Sequence, residues 1–167
     1  MNADFQPRTR RHRPSGAVLV EAALVFLVFL GFIFLILDLS MAIFSKVTLQ
    51  HAVRAGVRYA VTSQTSGALG QLASIKQVVK NQSMGILSTS DVSTYVTITF
   101  YTVSTATPTV VTGTGSNAAG NLVVVSVRGW PFRPWTPIGH SSASIPITVS
   151  SGDLIESSGA GFTPPAL

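Results

Sequence analysis

Glu21 is the side chain whose type and position most constrain the chemistry of this sequence, because it interrupts an apolar run. Ala17 to Val20 precede it, and AALVFLVFLGFIFLIL follows from Ala22 to Leu37 with no charged or polar side chain. A carboxylate in hydrocarbon is unfavourable, less so near an interface, so it calls for a partner. Gly16 sets the spacing: cleavage after it would create an α-amino group on Ala17 and leave Glu21 fifth from the new terminus. The chemistry in view is therefore the electrostatic use of one carboxylate. The plainer alternative is an interfacial Glu21 that stays near the head groups or pairs with a lipid or a lysine.

No other residues form a reactive set. His12, His51 and His140 stand in three different settings, without a carboxylate or nucleophile at motif spacing. Patterns for a serine nucleophile elbow, a zinc-binding helix or a phosphate loop are missing from the sequence. Asp153 and Glu156 would bind calcium only with ligands from elsewhere. Cysteine is absent, which excludes disulfides, thiolate metal sites and thiol nucleophiles. The expectation is a chain without catalysis, metal or cofactor.

Composition then points to a membrane. Only 10% of the residues are charged while 46% are apolar, too large an imbalance for an ordinary soluble domain of 167 residues. Of the net +5, residues 1–16 carry +3, from Arg8, Arg10, Arg11 and Arg13 against Asp4. The remaining +2 comes from seven Lys and Arg against five Asp and Glu. The basicity is thus a tail, better read as a topology signal or a processed leader than as a nucleic-acid surface.

The elements that position Glu21 follow from periodicity. Residues 17–37 would be roughly 32 Å long as a helix, against a hydrocarbon core of roughly 30 Å. Asp38-Leu39-Ser40 follow without an A-x-A cleavage pattern, so the segment reads as a retained anchor. Arginines before the span, against only Lys46 soon after it, place the N-terminus in the cytoplasm. No proline interrupts residues 38–62, and the helix is expected to continue. Lys46, Gln50, Arg54 and Arg58 would form a polar stripe on it, and Leu49, Val53, Gly56, Val57 and Ala60 an apolar face.

Gly16, Glu21 and the basic leader together resemble the processing motif of type IV prepilins. In those proteins an inner-membrane prepilin peptidase removes a leader ending in Gly and leaves an apolar helix with Glu fifth. The resemblance implies cleavage between Gly16 and Ala17, and a role for Glu21 in subunit assembly. In a filament the terminal ammonium of one subunit would meet the Glu of its neighbour. Two unit charges about 4 Å apart attract by roughly 4 kcal/mol at an effective dielectric near 20. Left unpaired, both would suffer desolvation, which would favour one axial stagger.

The stretch LVEAALVFLVFLGFIFLILDLSMA with LQHAVRAGVRYA is similar to the TadE-like proteins, minor pilins or pseudopilins of the tight-adherence (Tad) branch of type IV pili. The matching positions are Gly16, Glu21, Asp38, Gln50, Ala52, Arg54, Gly56, Arg58, Tyr59 and Ala60. Ala22 and Met41 depart from the pattern, which has an aromatic and a basic residue there. The resemblance implies assembly of an adhesive pilus without catalysis. Its implied partners are a prepilin peptidase, other pilin or pseudopilin subunits and the Tad assembly platform, with no nucleic acid. Arg54 and Arg58 are candidate subunit contacts or simply a solvated face. The rival reading is an unprocessed signal-anchored envelope protein whose β domain binds a polysaccharide or protein.

For the remainder, SQTSGALG at 63–70 is a break and Gln71 to Ser83 a short helix. Strands are expected over 92–103, 122–129 and 143–151, with 104–121 a loop and 159–167 a loose tail. WPFRPWTPIG at 130–139 holds three prolines and is expected to lie outside the sheet, packed by its own aromatics or offered as a binding surface. TadE-like proteins often carry such a stretch between their last two strands, which favours the first option. The expected class is α+β and pilin-like. Its parts are a basic leader (1–16), a transmembrane helix (17–38), an exported amphipathic helix (39–62) and a small extracytoplasmic domain (63–167) with about three antiparallel strands. The helix over 39–62 would cover the apolar face of that sheet.

Overall fold

The computed structural model describes residues 15–66, 68–103, 107–135, 144–156 and 163–167. Helix α1 runs unbroken over Ser15–Val61, 47 residues and therefore about 70 Å. It stops where the hydroxyl of Thr62 donates to the carbonyls of Arg58 and Tyr59 and Ser63 turns to φ 51. The two halves of α1 meet different surroundings. From Val18 to Leu37 its apolar side chains are uncovered, whereas Leu49, Ala52, Val53, Val57, Ala60 and Val61 are buried.

What buries them is α2 (Gln71–Gln82) together with a sheet of four antiparallel strands. Gly56 allows the closest approach: a Cβ there would lie 2.6 Å from Cγ2 of Val79 on α2. A short α3 (Thr89–Tyr95) leads directly into β1 (Val96–Thr102). β2 (Thr109–Val111), β3 (Leu122–Phe132) and β4 (Ile145–Leu154) complete the sheet in the order β2-β1-β3-β4. Val96, Phe100, Val123, Val125, Val127, Ile147 and Val149 turn inward onto Ile75, Val79 and the buried face of α1. That placement agrees with the expected covering of the sheet by the upper helix.

Four features differ from the sequence expectation. Residues 92–95 are the last turn of α3, because Ser88 and Asp91 form a reciprocal capping box that starts a helix. The 104–121 stretch contains β2, three residues paired with Phe100–Thr102 at the sheet edge. A strand so short suits an edge and leaves little pattern to read.

β3 extends through Trp130, Pro131 and Phe132, so three residues of the aromatic-proline stretch do lie in the sheet. Pairing with β1 stops at Val127, opposite Val96 where β1 begins, and beyond it only β4 continues alongside, across a bulge between Val127 and Trp130 with Gly129 at φ 67. Pro131 stands opposite Pro146. In an antiparallel ladder that is tolerable where the pair exchanges no N–H bonds.

The end of the chain is also not loose over its described part. Leu167 packs against the core, and the carbonyls of Ala166 and Pro165 accept from the Gln71 backbone at 2.8 Å and the Asn117 amide at 2.8 Å. The signal missed was Gln71 and Asn117, two buried amides that need partners. Residues 159–162 and 136–143 lie outside the described residues.

Candidate functional site

Gly16 and Ala17 occupy the first turns of α1, and both are exposed. A Cβ at Gly16 would meet nothing within 4 Å. Glu21 stands one turn above Ala17, on the same face of the helix because the two are four residues apart. Its side chain is exposed and borders a shallow apolar groove with Val18, Ala22, Val25, Phe26 and Phe29. Among the described residues Glu21 has no hydrogen-bond or ion-pair partner. The leader arginines lie outside the described residues.

The expected subunit contacts sit elsewhere. Arg54 and Arg58 are exposed on the outward face of the upper half of α1, about 50 Å from Glu21 along the axis. The structure therefore does not join them with Glu21 into one site. Gln50, from the same stripe, turns inward and its amide donates to the Ser150 carbonyl of β4 at 3.0 Å, a structural role.

One polar contact was not anticipated. At the upper end of the apolar run, Asp38 Oδ1 accepts from the backbone N–H of Trp135 at 2.9 Å, tying the segment after β3 to α1. The charge that closes the span was visible in the sequence; its partner, 97 residues away, was not.

His51 is exposed on α1, while His12 and His140 lie outside the described residues. Among the described residues no group of three or more His, Asp or Glu side chains could hold a metal. What the arrangement offers chemically is an accessible Gly16–Ala17 bond and an apolar helix face carrying one carboxylate.

Residues 16–58 match the family model described as TadE-like protein. The TadE-like match covers roughly a quarter of the chain, starts at Gly16 and ends within α1, so none of the sheet belongs to it. Glu21, Asp38, Arg54 and Arg58 fall inside the matched segment. No curated protein and no solved structure matches the chain. The TadE-like match points to the Tad pilus system, and α1 is long and apolar enough to cross a membrane.

Proposed function

We propose that the chain is a minor pilin or pseudopilin, a structural or priming subunit in the assembly of a Tad-type adhesive pilus. In this reading its N-terminus is cytoplasmic, residues 17–38 cross the bacterial inner membrane and the sheet lies on the periplasmic or extracellular side. Prepilin peptidase cuts after Gly16, and the freed helix joins other subunits at the Tad assembly platform.

The observation that carries the reading is the uncovered lower half of α1. Val18, Val25, Phe26 and Phe29 are each about 60% exposed around Glu21, within the TadE-like match. An apolar face of this length needs lipid before assembly and neighbouring helices after it. Glu21 then gives that packing a defined stagger, because its charge is relieved only where a cation meets it.

Intact-mass measurement of the protein from its native host tests the reading. The expected species lacks residues 1–16, with or without the N-methyl group on Ala17 that the prepilin resemblance implies. A full-length chain alone, in cells with active prepilin peptidase, would remove the pilin reading and favour an unprocessed envelope anchor.

A further inference from the structure

We propose that the open edge of β1, together with α2, is a docking groove for an extended acidic segment of a partner protein, which adds a fifth strand in line with β2. The site stands whether or not the chain is cut after Gly16.

The two edges of the sheet differ. A strand in an antiparallel ladder gives the N–H and C=O of alternate residues to one side and those of the residues between to the other. On the outer side of β4 these groups are guarded. Pro146 has no N–H, the Ser150 carbonyl accepts from the Gln50 amide, and the Leu154 N–H donates to Asp153 Oδ1. At the opposite edge β2 pairs only with Phe100–Thr102 of β1. Val96 to Thr99 pair with β3 on one side, and among the described residues no strand lies on the other. The Thr97 carbonyl accepts from Ser126 Oγ on β3 at 3.4 Å, so alternation turns Val96 and Ile98 to the open side. The Val96 N–H donates to the Val92 carbonyl, which leaves the Ile98 N–H and the carbonyls of Val96 and Ile98 for a further strand. An unguarded edge of this kind is a template for pairing.

Beside that edge lies a groove of about 540 Å³, whose walls include Leu72 and Lys76 of α2, Ser93 and Thr94 of α3, and Val96 and Ile98. A smaller groove of about 170 Å³ shares Leu72 and Ile98 and reaches Val110 and Val111 of β2. The opening therefore follows the β1 edge between α2 and the sheet, and its apolar floor, Leu72 and Ile98, is only half-buried.

Three features define the occupant. A free strand edge requires extended backbone, with main-chain bonds giving affinity and alternate side chains giving specificity. The floor fits an aliphatic side chain opposite Ile98, turned towards α2. Lys76 is the only charged residue lining either groove and has no carboxylate partner among the described residues, so it fits an acid two residues along on the same side. A second copy does not supply this strand from β4, whose outer edge is guarded.

Amide NMR spectra of the full, isotope-labelled chain in detergent micelles test this with a blocked peptide, acetyl-Thr-Val-Thr-Asp-Thr-amide. Saturable shifts are expected at Ile98 and Lys76, with slowed exchange of the Ile98 N–H. Lysine in place of the peptide's aspartate should weaken binding about fivefold, and Lys76→Glu should reverse that preference. Methylating the valine nitrogen of the peptide should weaken binding about tenfold or more, because a main-chain bond is lost while every side chain is kept. Absence of saturable shifts at millimolar peptide would overturn the proposal and make Lys76 a guard of the edge. Shifts indifferent to the N-methyl group would mean side-chain docking without strand addition, and shifts indifferent to aspartate or lysine would remove the acidic partner; either result sinks the proposal. Should Lys76→Glu unfold, the peptide changes alone carry the test. None of these readouts involves Gly16 or the span, so failure here leaves the pilin reading intact.

Discussion

At Glu21 the physical question is what the charge is for. Glu21→Ala makes the helix face more apolar, so membrane integration should persist, as measured by carbonate extraction. Incorporation into a filament or pilin complex should fall by about tenfold or more, because the stagger loses its electrostatic preference. Unchanged incorporation would leave Glu21 as an interfacial carboxylate with no part in assembly. Gly56 poses a packing question instead. A methyl group there meets a stiff, buried Val79 at 2.6 Å. Overpacking costs about 1–3 kcal/mol, and better helix propensity returns about 1 kcal/mol. Gly56→Ala should therefore lose about 1 kcal/mol in chemical denaturation, and a gain in stability would show that α1 and α2 can move apart freely.

Among the elements, α3 depends on a cap rather than on length. Its seven residues are too few to be stable alone, and Ser88 accepts from the Asp91 N–H while Asp91 accepts from the Ser88 N–H. Ser88→Ala should cost about 1 kcal/mol, seen as a lowered midpoint in thermal melts. An unaltered midpoint would mean that Val92, buried under the sheet, holds the turn by itself. This junction also shows what could be read in advance. VSTYVTITF has the β-branched and aromatic composition of a strand throughout, so composition hid the helix and only the S-x-x-D spacing disclosed it. By contrast α1 was fully legible, since its apolar run and the spacing of Leu49, Val53, Gly56, Val57 and Ala60 are local patterns. The extension of β3 through Pro131 was not, because whether a proline fits depends on which neighbour lies beside it. The same holds for the Asp38–Trp135 contact, which joins distant parts of the sequence.

For the whole molecule, the upper half of α1 is part of the core. Leu49, Val53, Val57 and Val61 are buried there with Ala52 and Ala60. At about 1.5–3 kcal/mol for each large side chain, they match the marginal stability of a small domain, about 5–15 kcal/mol. A chain beginning near Leu39, kept in mild detergent, should unfold cooperatively, while one beginning near Ser63 should show no cooperative transition. Equal thermal midpoints would refute this packing. The candidate site divides in the same manner: Gly16 and Glu21 could be found from spacing alone, but their separation from Arg54 and Arg58 by the length of the helix becomes plain only in three dimensions.

The continuity of α1 from Ser15 to Val61 also makes the lower helix a dial for the domain above it. An α-helix turns 100° and rises 1.5 Å per residue, and Gln50, Gly56 and the buried valines key the sheet to one side of that cylinder. Sliding a neighbouring helix by one residue against the lower half would swing the sheet's azimuth by about 100° relative to that neighbour. Which edge of the sheet two adjoining subunits show each other is thus chosen near Glu21, some 30 Å below the lower end of the sheet.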